Sequence, residues 1–285
     1  MNTVSENSHD NLPDDPQEFL VQVLGCAVEA LPTLPVVAFQ ILELAKDESS
    51  SAQDLARVIG RDPALTAQLL KIANSPAFGL IGEVSTISRA VVLLGFEEVR
   101  SLALGLMIFD TAFGSKRRSR HRAQLWTHSL IVGLLTEILA KEDFRLGSGF
   151  YVYGLIHDIG KVALDAYLPQ IFGAILDEME SGRLTWPQAE KKVMGVDHAL
   201  LGRALLSYWQ LPEAMTAAVG RHHQPWLAQE HRDVAGVVFL ADIFARMLGY
   251  FPFAPKVQEE VTNLFSLRAV SLVTERQWNL ESGLL

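Results

Sequence analysis

Apolar residues recur at helical spacing along most of the chain, and the breaks between these runs carry prolines and helix-capping residues. The segment 31–35 (LPTLP) interrupts the first run. Ser51 followed by Asp54 resembles a capping box, which marks the start of a helix. Asp62 before Pro63 predicts another start, because Asp accepts backbone N–H bonds at the N-cap and Pro suits the first helical position. No segment is predicted to be a strand.

Further boundaries follow from the same patterns. Ser85 precedes a helical run that ends where Gly95 is placed to terminate it. A strongly apolar helix is then predicted over 96–113. In the second half we predict helices at 126–139, 149–162, 171–180, 187–194, 198–209, 214–222 and 233–248, with one or two more in 257–285.

These runs predict an all-α protein in which an N-terminal helical bundle packs on a second helical bundle. Residues 1–17 are polar and predict a disordered tail, and residues 18–113 form the first bundle. The basic stretch 114–122 (GSKRRSRHR) is predicted to be a solvated connecting loop rather than a phosphate or partner contact. Residues 123–250 form the second bundle, on which C-terminal helices within 251–285 are expected to pack.

Composition excludes several classes of protein. An apolar fraction of 49% excludes disorder for most of the chain, and a net charge of −9 argues against a general nucleic-acid binder. The longest stretch without charged residues, 123–136, is shorter than the about 20 residues of a membrane-spanning helix. The acidic, polar start does not resemble a secretory signal. Cys26 is the one cysteine, which excludes an internal disulfide and predicts a reducing, cytoplasmic location.

Seven ionisable residues lie in or beside apolar helical runs. There an imidazole needs a hydrogen-bond partner or a ligand role, and an ionised carboxylate needs a counter-charge or a cation. They are His128, His157, Asp158, His198, His222, His223 and Asp242. The other three histidines, His9, His121 and His231, lie in polar or loop-like stretches and carry no prediction.

Imidazole and carboxylate ligands together suit a first-row metal such as Fe, Mn, Ni, Zn or Co. An aspartate has two oxygens and can bridge two metal ions, as in sites of phosphoryl hydrolysis. His157 and Asp158 diverge by about 100° on a helix, which allows one terminal and one bridging ligand. Lys161 lies on the same helix face and is placed to hold a phosphate oxygen or a metal-bound water. A hydrogen-bonded polar core without metal is the alternative.

Four ordered motifs in the first half resemble the HDOD domain, the HD-related output domain of bacterial signalling proteins. They are LPTLP (31–35), DPAL (62–65), ANSP (73–76) and LG (94–95), and the resemblance covers roughly residues 18–250. It implies an all-helical fold with an HD-domain-like second bundle, related to HD-domain metal phosphohydrolases and to HD-GYP phosphodiesterases of cyclic di-GMP. It also implies a regulatory role, since many family members have lost the metal ligands.

Against the HD-GYP pattern, the ligand set of this chain is complete. By this resemblance His128 is the first histidine, His157 and Asp158 are the HD pair, and Lys161 is the lysine that follows the pair. His198 is the next histidine, His222 and His223 are the paired histidines, and Asp242 is the final aspartate. Two departures from the pattern argue against a third metal and against cyclic di-GMP as substrate. The segment 222–225 (HHQP) is not followed by Gly-Tyr-Pro, and Gln124 stands where some relatives carry an acid.

Three functions stay open at this point. The favoured one is a regulatory signal-transduction module that keeps a site for two divalent metal ions, with Fe or Mn ahead of Ni and Zn. Its expected partner is a signalling protein or a nucleotide ligand acting in trans, with no membrane involved. The second is a metal-dependent phosphohydrolase or phosphodiesterase acting on a nucleotide, with Asp158 and Lys161 as catalytic residues. The third is a metal-free polar core.

Overall fold

Every regular element that the structure describes is helical, which confirms the all-α prediction for these residues. The computed structural model describes residues 16–24, 32–44, 49–74, 78, 83–113, 120–142, 144, 146–182 and 184–250. Most of the predicted tail, most of the predicted basic loop, Cys26 and the predicted C-terminal helices lie outside these ranges.

The helices follow the predicted order along the chain. They are α1 (Pro16–Leu24), α2 (Val36–Leu44), α3 (Ala52–Ile59), α4 (Pro63–Ala73), α5 (Ile87–Leu94), α6 (Phe96–Phe113), α7 (Arg120–Glu142), α8 (Tyr151–Ile156), α9 (Ile159–Tyr167), α10 (Pro169–Gly182), α11 (Trp186–Met194), α12 (His198–Tyr208), α13 (Glu213–Arg221) and α14 (Arg232–Met247). A short 3₁₀ turn, Pro225–Leu227, connects α13 to α14.

Local capping chemistry sets the boundaries in the first half. The capping box at the start of α3 is confirmed, since Ser51 and Asp54 exchange side-chain-to-backbone hydrogen bonds. Gly95 ends α5 with φ of 101°, a left-handed conformation that favours glycine. The N-cap of α5 is Thr86, the residue after Ser85, whose hydroxyl accepts the backbone N–H of Arg89. Thr86 stands directly before the first helical residue, where the geometry of an N-cap requires the hydroxyl.

Three predicted boundaries are corrected. Helix α1 begins at Pro16, inside the segment predicted as a tail, and α7 begins at Arg120, inside the segment predicted as a loop. His121 therefore lies in a helix rather than in a loop. The single helix predicted over 149–162 is two helices, because the backbone at Asp158 (φ −95°, ψ 20°) leaves the helical region and breaks the run.

Helix α6 is central to the core and is buried on nearly every side. It packs against α2, α4 and α5 on one side and against α8 and α9 on the other, so one continuous core joins the two predicted bundles. Helix α1 packs on α12, and the indole of Trp209 donates to the carbonyl of Pro32 at 2.7 Å. Helix α1 and Pro32 are thus attached to the second bundle.

One helix in the described ranges, at His121–Lys141 within α7, is long and apolar enough to cross a membrane by length and composition. The bent pair of α8–α9 with α10 passes that test only when it is taken as one span. In the fold α7 packs against α8 and α14, and its Leu125, Val132 and Ala140 are fully buried. Part of the apolar surface of α7 is thus buried in the core, while Ile138 of the same helix is exposed.

The N-cap of α4 allows a test of how much a capping side chain stabilises the fold. Asp62 Oδ1 accepts the backbone N–H groups of Ala64 and Leu65, each at 3.0 Å. We expect Asp62→Ala to lower the free energy of unfolding by about 0.5–2 kcal/mol, because two N–H groups at the helix start lose their acceptor. Urea denaturation of the two proteins measures this difference, and an unchanged midpoint would count against the cap.

Candidate metal centre

The break between α8 and α9 places the HD pair in the interior. His157 ends α8 and Asp158 precedes α9, and both side chains are fully buried. The turn fits against α12 because Gly160 has no side chain: a Cβ there would overlap the carbonyl oxygen of His198 and lie 2.8 Å from its carbonyl carbon. This close approach brings the start of α12 next to the HD pair.

The structure brings all seven predicted ligand residues into one cluster. They come from α7 (His128), the α8–α9 turn (His157, Asp158), the start of α12 (His198), the end of α13 (His222, His223) and α14 (Asp242). His223 is partly exposed and the other six are buried. Three overlapping sets have ligand atoms within 4.8 Å of one another: His198–His222–His223, His128–His157–Asp242 and His157–Asp158–His222.

Asp158 lies in the centre, and its two oxygens face different histidines. Oδ1 is 3.2 Å from Nε2 of His198 and 3.6 Å from Nε2 of His222. Oδ2 is 3.4 Å from Nε2 of His157 and 3.8 Å from Nε2 of His128. The carboxylate of Asp158 thus lies between two pairs of histidines.

Four of the imidazole rings are fixed by a hydrogen bond at Nδ1. The pairs are His128 with the carbonyl of Tyr250 (2.7 Å), His157 with that of Gly154 (2.7 Å), His222 with that of Val219 (2.6 Å), and His198 with Oε2 of Glu190 (2.6 Å). Because these oxygens only accept, Nδ1 carries the proton in each ring and the Nε2 lone pair is free to bind a metal. All four Nε2 atoms are directed into the cluster, which is the usual arrangement of histidine ligands.

The cluster contains more hydrogen-bond acceptors than donors, and a bound cation would remove this imbalance. Nε2 of His198 lies 3.3 Å from Nε2 of His222 and 2.9 Å from Nε2 of His223, and Nε2 of His128 and of His157 have no hydrogen-bond partner. Ligands on one ion with bonds of about 2.1 Å are separated by roughly 3.0–3.4 Å, depending on coordination geometry. The spacing between His198 and His222, and that between His198 and Asp158, fall in this range. The residues present therefore fit a divalent metal.

Burial and neighbouring charges shift the pKa values of the cluster in both directions. Burial lowers the pKa of His128, and burial together with the nearby His157 and His198 holds the pKa of His222 well below its usual range. At His198 burial also opposes protonation, but Glu190 and Asp158 outweigh it and raise the pKa to about 9. Without metal, His198 is therefore protonated at neutral pH, but its Nε2–H can serve only one acceptor, and Nε2 of His128 and Nε2 of His157 still have no hydrogen-bond partner.

Each aspartate is also paired with a basic side chain. Burial alone would raise the pKa of Asp158, but His157 and Lys161 hold it well below its usual range. Nζ of Lys161 donates to Oδ2 of Asp158 at 2.7 Å and is buried. At Asp242, Arg246 and His128 likewise overcome burial and hold the pKa well below its usual range.

Two residues that order the cluster have no signal in the sequence motifs. Glu190 of α11 is fully buried; its Oε2 accepts from the backbone N–H and the ring Nδ1 of His198, and its Oε1 accepts the indole N–H of Trp186 at 2.6 Å. Arg246 donates from Nε to Oδ1 of Asp242 at 2.9 Å and from its terminal nitrogen to Oδ2. The i,i+4 spacing of Asp242 and Arg246 is the one trace that the sequence carries of this pair.

The lowered histidine pKa values predict acid sensitivity of the metal-free protein. His128, His222 and His223 bind protons in the unfolded chain below about pH 6.5 and resist them in the fold, so their contribution is present above that pH and is lost as pH falls. The pKa shift of His198 acts mainly at higher pH and those of the two aspartates act at lower pH, so these three contributions change little between pH 6.5 and 5. We expect the free energy of unfolding to fall by up to about 1.4 kcal/mol per pH unit for each of the three histidines. Urea denaturation at pH 6.5 and 5 with chelator present measures it, and equal values would contradict the assignment.

The chain matches the family model of the HDOD domain over residues 31–225. An uncharacterised protein of Treponema pallidum is 26% identical over 263 residues, which are 90% of this chain and 50% of the relative. An uncharacterised Bacillus subtilis protein, YuxH, is 28% identical over 38% of this chain and 25% of its own length. The chain thus spans half or less of these curated relatives.

Two solved structures have the same fold. A Geobacter sulfurreducens HDOD domain protein of unknown function is 24% identical, with a TM-score of 0.72 over 94% of this chain and 93% of that one. A Shewanella amazonensis protein provisionally named a phosphohydrolase is 23% identical, with a TM-score of 0.67 over 88% and 87% of the two chains. At these identities the likeness establishes the helical fold.

Proposed function

The chain belongs to the HDOD domain family, and we propose that it is a regulatory module of bacterial signal transduction that retains an HD-type site for two divalent metal ions. The ions would be held by the seven clustered residues, with Asp158 between them. Fe or Mn is the preferred metal, with Ni and Zn as the next candidates. A bound divalent metal would supply positive charge between ligands that otherwise repel one another.

One observation carries the metal site in this proposal: the fixed orientation of the four Nδ1-bonded imidazole rings, whose Nε2 lone pairs converge on two carboxylates. A metal-free polar core would be expected to alternate donors and acceptors. Here Nε2 of His198 faces Nε2 of both His222 and His223, which is more acceptors than one proton on His198 can serve, and Nε2 of His128 and of His157 have no partner. This donor deficit argues against the metal-free alternative.

Burial of the cluster favours regulation over hydrolysis. Six of the seven ligand residues are buried, and only His223 is partly exposed. A hydrolase needs an open coordination position and space for the phosphate at the metal. Lys161, the expected phosphate contact, is 3% exposed and already donates to Asp158. These features suit a metal that stabilises one conformation of the module.

The alternative is a metal-dependent phosphohydrolase acting on a nucleotide. It is favoured by the complete ligand set and by the bridging position of Asp158, since two metals sharing a carboxylate can polarise a phosphate and generate a nucleophile. In this function Asp158 and Lys161 would be the catalytic residues. The name of the Shewanella relative points the same way.

The partner in the regulatory function would be a signalling protein or a nucleotide ligand that acts in trans in the cytoplasm. The net charge of −9 favours a specific partner over general binding of nucleic acid.

A turnover experiment separates the two functions. Protein stripped with chelator and reloaded with Fe²⁺ or Mn²⁺ is incubated with bis(p-nitrophenyl) phosphate and with cyclic dinucleotides. The regulatory proposal predicts no hydrolysis above a metal-only blank, together with a higher melting temperature on reloading. Hydrolysis that disappears in Asp158→Ala would establish the enzyme instead. Binding of no metal by the parent protein would end both proposals.

A further inference from the structure

The seven ligand residues divide into two halves with different surroundings. The Glu190 subsite contains His198, His222, His223 and Oδ1 of Asp158. The Arg246 subsite contains His128, His157, Asp242 and Oδ2 of Asp158. The two subsites share Asp158 but differ in the charges placed directly behind their ligands.

A negative charge supports the Glu190 subsite. The carboxylate of Glu190 is fully buried and accepts from Nδ1 of His198 at 2.6 Å. A carboxylate behind an imidazole raises the electron density at Nε2 and strengthens its bond to a metal. Glu190 is itself held by two further donors, the backbone N–H of His198 and the indole N–H of Trp186, so its orientation is fixed before any ligand binds.

Positive charges oppose a cation in the Arg246 subsite. Arg246 donates two hydrogen bonds to Asp242. Its positive charge neutralises part of the charge of this carboxylate and so weakens the attraction between Asp242 and a metal ion. Lys161 does the same at Oδ2 of Asp158. The two histidines of this subsite are backed by neutral carbonyl oxygens, those of Tyr250 and Gly154, rather than by a carboxylate.

We propose that the two subsites bind metal in order, with the Glu190 subsite filled first and more tightly, and that Glu190 is the positioning residue that sets this order. This inference rests on the proposed metal site and adds to it an asymmetry between the two ions. The Arg246 subsite is then the one that responds to changes in metal concentration. Occupancy of that subsite is the variable that a regulatory module can sense.

The test is a stepwise titration of chelator-stripped protein with Mn²⁺, in which electron paramagnetic resonance measures the free ion. The parent protein should give two binding constants that differ by at least tenfold. Glu190→Gln, nearly equal in size but uncharged, should weaken the first constant by about 10–100-fold and leave the second within about twofold. The visible absorption of Co²⁺ bound at the first equivalent should change in this variant, since His198 is no longer backed by a charge.

Two further variants keep the test decisive. Glu137→Gln removes another buried carboxylate, which accepts the backbone N–H groups of Gly149 and Tyr151 away from the cluster; it should lower stability and leave both metal constants unchanged. Trp186→Phe removes one donor to Glu190 and retains the charge, so it should weaken the first constant by less than Glu190→Gln does. If Glu190→Gln does not fold, Trp186→Phe decides, and an unchanged first constant overturns the proposal.

The outcomes separate this inference from the proposed function. Two equal binding constants in the parent, or an equal loss at both subsites in Glu190→Gln, would overturn the order of filling and leave the two-metal site intact. A parent protein that binds no Mn²⁺, Fe²⁺ or Co²⁺ would overturn the metal site itself.

Discussion

Replacing Asp158 with alanine is expected to abolish binding of both metal ions. Oδ1 of Asp158 faces His198 and His222, and Oδ2 faces His157 and His128, so one substitution removes a ligand and a shared negative charge from both ions. Elemental analysis after dialysis should fall from two equivalents to well under one. Metal should no longer raise the melting temperature, because the stabilisation by a bound ligand is RT ln(1 + [L]/Kd) and vanishes when binding is lost.

His222→Ala is the matched comparison. It removes a buried ligand of one subsite and leaves Asp158 in place, so we expect it to keep about one equivalent of metal. Equal metal contents in Asp158→Ala and His222→Ala would contradict a bridging role for Asp158. Full metal content in both variants would show that the ions bind elsewhere.

The second large effect is expected at Gly160, where α9 crosses α12. An alanine Cβ would overlap the carbonyl oxygen of His198 and lie 3.0 Å from the backbone nitrogen of Gly202, so α12 must move away from α9. Overpacking of this kind costs about 1–3 kcal/mol of stability, and more where backbone must shift. Because His198 begins α12, the same movement should separate it from Asp158 and lower metal affinity.

Gly173→Ala is the control for Gly160→Ala. Gly173 lies in α10, and a Cβ there would meet no atom within 4 Å, so the substitution should leave metal content unchanged and raise stability by up to about 1 kcal/mol. Urea denaturation and elemental analysis of the two variants give the comparison. A Gly160→Ala protein with parental stability and metal content would show that the α9–α12 crossing does not position the site.

The sequence predicted the helical elements well where local chemistry decides them. The cap at Asp62 and the end of α5 at Gly95 depend on side chains within a few residues, and both are confirmed. The break at Asp158 was missed because the apolar pattern continues through it. Next to the break, Gly160 packs closely on α12, and this contact between distant parts of the chain has no counterpart in the local pattern.

The candidate site, too, could be predicted from the sequence only in part. The seven ligand residues stand out in sequence because each is polar in an apolar run, and the structure brings them together. Glu190 lies beside two lysines in α11 (WPQAEKKVM) and has the pattern of a solvated helix face, yet it is fully buried against His198. Its role depends on how α11 packs, which no spacing along the chain predicts. Lys161 was placed correctly beside Asp158, but its burial was not foreseen.

The central claim is that the buried cluster holds divalent metal, and one measurement tests it most directly. Protein purified without added metal is analysed for its elements, and its melting temperature is recorded before chelation, after chelation, and after return of Fe²⁺ or Mn²⁺. We predict up to two equivalents of a first-row metal, a fall in melting temperature on chelation and its recovery on reloading. Protein without metal, whose melting temperature neither chelator nor added ion changes, would contradict the account.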